Sequence, residues 1–265
     1  VERGQPQIRA KVREQLDAVS LRDLLPERRV VRGDGRVVAR TAALDCADLR
    51  RTATPSTNLA GIIHLDINDV SDHGATAVFG DGWNVYASTD AMYISGTSYG
   101  WSWMLDGASE DYNKTTIHKF TLRGRAGQPE YRASGKVDGW LLNQFSMSEW
   151  DGHLRVATTE WNIPGENQSG NHLTILREEE GKLVTTGAVR NLAKGERIYS
   201  MRMVGDIGYM VTFRQTDPLF TMDLSDPTAP TVEGELKING FSSYIHPLGP
   251  NHLLTVGQDA TDDGR

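Results

Sequence analysis

The segment YSMRMVGDIGYMV at residues 199–211 joins two apolar stretches through the polar turn Gly205-Asp206. Three other segments repeat this arrangement: VYASTDAMYI at residues 85–94, FSMSEWDGHLRV at 145–156 and YIHPLGPNHLL at 244–254. Short apolar stretches on either side of a polar turn predict a β-hairpin. The sequence therefore predicts the same hairpin four times.

The spacing of these hairpins indicates the architecture. Their turn markers Asp90, Asp151, Asp206 and Asn251 lie 61, 55 and 45 residues apart. From residue 58 onward the chain reads as short strands without long helices, which excludes a parallel α/β sheet and leaves a sandwich, a barrel or a propeller. A four-stranded blade repeats every roughly 40 to 50 residues. We therefore predict an all-β β-propeller of four-stranded antiparallel blades, with about three to four blades in this chain.

The first 57 residues have a different pattern. Ile8, Val12, Leu16 and Val19 share one face of an amphipathic helix. Two apolar pairs then flank the glycine turn at residues 33–35, which predicts a small hairpin. We expect a helical and hairpin insertion segment at residues 1–57 and an incomplete β-propeller at residues 58–265.

Several segments resemble the secreted bacterial and archaeal β-propeller-domain family. They are ERIYSMR at residues 196–202, TFRQTDPLF at 212–220, DLSDP at 223–227, GELKI at 234–238 and GFSSYIHP at 240–247. The resemblance covers most of residues 58–265, and residues 1–57 resemble the helical insertion of that family. It implies a secreted or membrane-attached propeller without an established activity, with further blades on both sides. We therefore expect the remaining blades, from the same protein or another chain, to contact residues 61–79 and 242–256.

Some of the residues in these family-like segments have a structural explanation. The Asp-Pro pairs at residues 217–218 and 226–227 suit turns, because Asp accepts local hydrogen bonds and Pro restricts φ. The rings of Tyr209, Phe213, Phe220 and Phe241 lie at strand spacing. We expect these rings to pack between neighbouring sheets.

Composition excludes several functions. A net charge of −7 lacks the basic surface that nucleic acid and anionic lipid require. No stretch of about 18 apolar residues predicts a transmembrane segment. Cys46 is the only cysteine, so it is either a buried thiol or half of a bridge to another piece. The seven scattered histidines lack the clustering of zinc or iron sites.

Two long connections, residues 97–114 and 160–170, carry the candidate ligand-binding face. Its residues are Trp101, Trp103, Asp106, Asp111, Glu160 and Trp161. Aromatic rings beside carboxylates suit a protein or glycan partner, although long loops also use tryptophans as a local core. The alternative is a propeller glycoside hydrolase that pairs Asp106 with Glu160 or Asp111 with Glu166. Such pairs must lie roughly 5 to 9.5 Å apart.

A candidate Ca²⁺ site lies near residue 260. Asp259, Thr261 and Asp263 occupy positions one, three and five of a calcium-loop pattern, and Gly264 occupies position six. An acidic turn without metal is the alternative. Since no nucleophile elbow, phosphate loop or zinc signature is present, we expect a non-catalytic binding or structural module, secreted or in the cell envelope.

Overall fold

The structure is a computed structural model. It describes residues 5–20, 23, 25–52, 58–69, 71–97, 113–124, 128–161, 168–213, 217–238, 240–249 and 251–259. In those residues the chain is built mainly of β-strands, with one α-helix near its start. The all-β prediction is confirmed.

The N-terminal segment contains helix α1 (Gln5–Asp17) and an antiparallel hairpin of β1 (Glu27–Val31) and β2 (Val37–Ala42). Both predicted elements are present. The helix is shorter than its apolar pattern, because Val19 lies beyond its end, and Ile8 and Val12 on that pattern are exposed. Within the described residues, no helix is long and apolar enough to span a membrane.

A three-stranded sheet connects this segment to the rest of the chain. It contains β3 (Leu49–Arg51), β4 (Leu59–Leu65) and β5 (His73–Phe79) in the order β3-β5-β4. Strand β3 pairs parallel to β5, and β4 pairs antiparallel to it. Leu25 and Leu44 pack with Ala77 of β5 in one apolar cluster. The last part of the N-terminal segment therefore packs on strands that follow residue 58.

The next eight strands form two consecutive sets of four. The first set is β6 (Asn84–Ala87), β7 (Ala91–Thr97), β8 (Lys114–Thr121) and β9 (Glu130–Asp138). The second set is β10 (Met147–Trp150), β11 (His153–Glu160), β12 (Gly170–Glu179) and β13 (Lys182–Leu192). Successive strands within each set pair antiparallel. A parallel pairing of Lys182 in β13 with Ser134 in β9 joins the sets into one eight-stranded sheet.

Two further sheets follow. A four-stranded antiparallel sheet contains β14 (Arg197–Val204), β15 (Ile207–Phe213), β16 (Asp217–Asp223) and β17 (Thr231–Ile238). A two-stranded sheet contains β18 (Phe241–Pro247) and β19 (Leu253–Gln258). The four predicted hairpins are therefore confirmed as β6–β7, β10–β11, β14–β15 and β18–β19.

The core lies between successive sets of strands. Met201, Met210 and Met222 pack together with residues of β11 and β12 in one buried cluster. The rings of Tyr199, Phe213 and Phe241 lie 5.0 to 5.2 Å apart between centroids and connect β14 and β15 to β18. Aromatic pairs at such distances add to the stability that their burial provides.

The four rings predicted to pack do so, since Tyr209 and Phe220 are buried and Phe213 and Phe241 belong to the ring cluster. Of the two alternatives for Cys46, the buried thiol is wrong, and the bridge to another piece stays a prediction. This residue lies in a short 3-10 turn, and its thiol is exposed rather than buried. Its neighbour Leu44 is the residue of this stretch that reaches the apolar cluster.

Candidate functional site

The ends of the two long connections come together at one end of the eight-stranded sheet. The Nδ2 of Asn113, just before β8, donates a hydrogen bond to the carbonyl of Trp161, just after β11, at 3.1 Å. The amide of Gly139 donates to the carbonyl of Asn113 at 2.7 Å, and Trp140 pairs with Thr159. The segment that follows β9 thus lies between the two connections.

Gly139 permits this close approach. Its φ is +83°, and a Cβ there would lie 2.4 Å from the carbonyl oxygen of Thr159. Both the left-handed backbone and the contact require glycine. We call the surrounding surface the loop rim; its residues are Asn113, Asp138, Trp140, Glu160, Trp161, His172 and Arg190.

A pair of stacked indoles provides the apolar part of the loop rim. The rings of Trp140 and Trp161 lie 6.3 Å apart between centroids, with an angle of 14° between their planes. Trp161 is 48% exposed. The Nε1 of Trp140 is buried and has no hydrogen-bond partner among the described residues. The exposed part of this apolar surface is therefore the ring of Trp161.

Glu160 and His172 form the polar part. Their Oε2 and Nε2 atoms lie 3.1 Å apart, and the His172 side chain is only 3% exposed. The amide of Asn191 donates to Nδ1 of His172 at 3.2 Å, so the neutral ring carries its proton on Nε2 and donates it to Glu160. Burial lowers the pKa of His172, against the opposing effect of Glu160. A neutral imidazole thus holds one oxygen of the carboxylate in place.

Asp138 brings further charge to the loop rim. It lies 3.1 Å from Nη1 of Arg190 and 3.7 Å from Nζ of Lys114. All three side chains are at least one-third exposed. Ion pairs at such exposure stabilise a protein by less than about 1 kcal/mol. These charges therefore contribute more to the electrostatic character of the rim than to the stability of the fold.

The structure describes only two of the predicted binding residues. Glu160 and Trp161 lie together in the loop rim. Trp101, Trp103, Asp106 and Asp111 lie outside the described residues, as does Glu166. That part of the binding-face prediction stays a prediction.

The calcium prediction is likewise untested. Asp259 follows β19 and is exposed, whereas Thr261 and Asp263 lie outside the described residues. Across the part of the chain that is described, no group of three or more His, Cys, Asp and Glu side chains is arranged to hold a metal ion.

Sequence reasoning missed His172, Trp140 and Asn113. His172 was one of seven scattered histidines, but strand register could have identified it. Thr158 lies directly opposite His172 in the β11–β12 pair, and Glu160 is two residues further on the same face. Diagonal neighbours of this kind are within reach of long side chains. Trp140 and Asn113 give no such signal, because only tertiary contacts bring them to Trp161.

A family model described as a beta propeller domain matches residues 2–265. The chain belongs to the beta propeller domain family. It is 47% identical over 132 residues to an uncharacterized protein of Methanocaldococcus jannaschii; this match covers 50% of this chain and 20% of that protein. It is 45% identical over 152 residues to an uncharacterized protein of Archaeoglobus fulgidus; this match covers 57% of this chain and 22% of that protein. The matched part of this propeller chain spans about a fifth of the length of each relative.

Among solved structures, the propeller chain is similar to a mutant of Synechocystis apocarotenoid oxygenase. The match covers 76% of this chain and 58% of that chain, with a TM-score of 0.29 and 8% sequence identity. At that TM-score the likeness carries no conclusion about activity.

Proposed function

We propose that this chain is a non-catalytic binding module of a secreted or cell-envelope propeller, and that its loop rim contacts a glycan or protein partner. The observation that carries this proposal is the stacked pair of Trp140 and Trp161 next to the Glu160 carboxylate. Both lie where two long connections leave the sheet, and connecting loops on a rigid scaffold commonly carry binding residues.

The chemistry of the loop rim favours a glycan. A sugar ring has an apolar C–H face that packs on an exposed indole, and hydroxyl groups that hydrogen-bond to carboxylates and N–H donors. Trp161 supplies the exposed ring and Glu160 the acceptor. The contact with His172 fixes the carboxylate before a ligand arrives, which reduces the entropy lost on binding.

We also propose that each set of four antiparallel strands is a blade, and that β18–β19 is the inner half of another. The chain would then contain three to four blades. Supporting this view, Leu254 and Val256 of β19 are 50% and 58% exposed, and Ile63 of β4 is 73% exposed. Apolar edge strands of this kind need cover. Further blades, from the same protein or another chain, would provide it.

A calcium ion bound by Asp259, Thr261 and Asp263 would stabilise the segment after β19. The support is the spacing of oxygen-bearing side chains in the sequence, since alternate residues of a tight loop direct their oxygens inward.

Glycan binding at the loop rim is tested by titrating soluble polysaccharides and oligosaccharides into the protein by calorimetry. Trp161→Ala should weaken binding at least tenfold, because it removes the exposed ring. Trp150→Ala is the matched control: Trp150 is 49% exposed, and it lies beyond the opposite end of β11. Equal loss in both variants, or none with Trp161→Ala, contradicts the proposal.

Glu160→Gln distinguishes binding from the glycoside hydrolase alternative. If the rim only binds, the wild-type protein leaves a bound oligosaccharide intact, and Glu160→Gln weakens binding moderately. Release of reducing sugar by the wild type would instead establish hydrolysis, and its loss in Glu160→Gln would assign Glu160 to the acid–base pair. A protein ligand would be indicated by a lack of sugar binding together with a Trp161-dependent interaction with a purified envelope protein.

A further inference from the structure

A second concave site lies among the first strands of three consecutive sets of four strands. Its volume is about 360 Å³, and residues of β6, β10 and β14 line it together with the short turn before β10. We call it the hairpin pocket; the lining residues used below are Tyr86, Phe145, Met147, Ser148, Arg202 and Met203. None of them belongs to the loop rim. A volume near this value lies in the range of small-molecule sites, about 300 to 1,000 Å³.

Arg202 brings a cation to this pocket, and no carboxylate among the described residues forms an ion pair with it. Its guanidinium carbon lies 5.2 Å from the ring centroid of Phe145. Its Nε is buried and has no hydrogen-bond partner among the described residues. A guanidinium stays charged in proteins and has five N–H donors to satisfy. Contact with an aromatic face satisfies a small part of that requirement.

A second arginine, Arg155, lies buried next to the pocket. Arg155 is 2% exposed, and its Nη2 donates to Oγ of Ser148, a lining residue, at 2.8 Å. Its Nη1 donates to the carbonyl of Gly205, and its Nε has no partner among the described residues. Burial lowers the pKa of Arg155, and the negative charge of Asp206 acts in the opposite direction. Asp206 itself accepts a hydrogen bond from Nε1 of Trp150 at 2.9 Å.

Glu149, the carboxylate next to Ser148 in the sequence, does not neutralise these arginines. Glu149 follows Ser148 in β10, so its side chain points to the other side of the strand. It accepts a hydrogen bond from Tyr93 Oη at 2.7 Å and lies 3.7 Å from Nζ of Lys119. Two arginines thus lie in or next to the hairpin pocket, and Asp206 is the one carboxylate described near Arg155. An anion in the pocket would offset the remaining positive charge.

The other walls of the pocket are largely apolar. Phe145 is 37% exposed, and the Met147 and Met203 side chains are buried behind the surface. Tyr86 stacks on Tyr93 with 6.0 Å between ring centroids. A strongly hydrated inorganic anion would not cover these rings. A ligand with a flat apolar body would cover them and place its charge against Arg202.

We propose that the hairpin pocket binds a small organic carboxylate carried on an aromatic or similarly flat apolar group. The carboxylate hydrogen-bonds to the terminal nitrogens of Arg202, and the ring of the ligand packs on Phe145 and Tyr86. The hydroxyl of Ser148 accepts from Arg155, so its own proton is available to the second carboxylate oxygen. Arg155 acts through Ser148 and is a positioning residue. Charge-assisted hydrogen bonds of this type are among the strongest that proteins form.

The test titrates the protein with benzoate, with its neutral analogue benzamide and with inorganic phosphate, followed by ligand-observed NMR and calorimetry. We expect saturable benzoate binding, with benzamide and phosphate each at least tenfold weaker. Arg202→Gln should weaken benzoate binding at least tenfold and should leave benzamide binding unchanged. Arg177→Gln is the matched control, because Arg177 is an exposed arginine on β12 that pairs with Glu179 on the surface.

Thermal unfolding followed by circular dichroism establishes that each variant is folded. If Arg202→Gln does not fold, Arg202→Lys and Phe145→Leu replace it: the first keeps the charge but loses the planar fork, and the second removes the aromatic wall. Both should bind benzoate more weakly than the wild type. The proposal is wrong if benzoate and benzamide bind equally, if phosphate binds as tightly as benzoate, or if the folded variants bind benzoate like the wild type.

Discussion

The hairpins β10–β11 and β18–β19 come from the same sequence pattern, yet they differ sharply in burial. In β11 every residue between the two terminal ones is buried, whereas in β19 every residue after the first is exposed. Strand β11 pairs with β10 on one side and β12 on the other, while β19 pairs only with β18. The alternation of apolar residues determines that a strand forms, but neighbouring strands and sheets determine whether it is buried.

The largest expected effect comes from shortening equivalent leucines in the two hairpins. Leu154 of β11 is 1% exposed in a closely packed cluster, so Leu154→Ala should lower the free energy of unfolding by about 2 to 5 kcal/mol. Leu254→Ala, at a half-exposed position of β19, should lower it by less than about 1 kcal/mol. Urea unfolding of both variants measures the difference. Equal effects would mean that β19 is already covered in solution.

Acid should destabilise the interior sheet through His118 of β8. Burial lowers the pKa of this imidazole to about 4, below the value of about 6.5 in an unfolded chain. The unfolded state therefore binds more protons between these two values, and the stabilisation is complete above pH 6.5 and is lost as the pH falls toward 4. At pH 4.5 the loss should be about 2 to 3 kcal/mol relative to pH 7, and buried His172 adds to it with the same sign.

Urea unfolding at both pH values tests this effect in the wild type and in His118→Asn. In His118→Asn the free energy of unfolding should fall much less between pH 7 and pH 4.5 than in the wild type. His246→Asn, on the exposed side of β18, serves as the control and should retain the wild-type pH dependence. An unchanged slope in His118→Asn would show that other groups carry the acid sensitivity.

The smallest expected effect concerns calcium at the edge that follows β19. If Asp259, Thr261 and Asp263 bind Ca²⁺, a concentration ten times the Kd should stabilise the protein by about 1.4 kcal/mol. For a chain of this size the Tm should rise by roughly 2 to 6 °C. Combining Asp259→Asn with Asp263→Ala should abolish the shift, whereas Asp45→Asn, at an exposed carboxylate elsewhere, should not. Equal Tm values in calcium and in chelator would indicate an acidic turn without metal.

Sequence alone predicted the parts of this fold that depend on local chemistry. The four hairpins were predictable because each needs only a polar turn between two apolar stretches. The pairing of β3 with β5 and of β13 with β9 was not, because both join strands distant in sequence. In the loop rim, Glu160 and Trp161 were predicted from the length of their connection. His172 and Trp140 were not, because their place beside Glu160 and Trp161 depends on which strands become neighbours.

The contact between β9 and β13 has a consequence for self-association. These are the last strands of two successive sets, and each would otherwise present unpaired backbone groups at Ser134 and Lys182. A Cβ on Gly135 would lie 2.4 Å from the carbonyl oxygen of Leu183. A larger residue at position 135 would push the two strands apart and expose two edges able to template intermolecular β-pairing. We therefore expect a side chain at this one position to increase self-association.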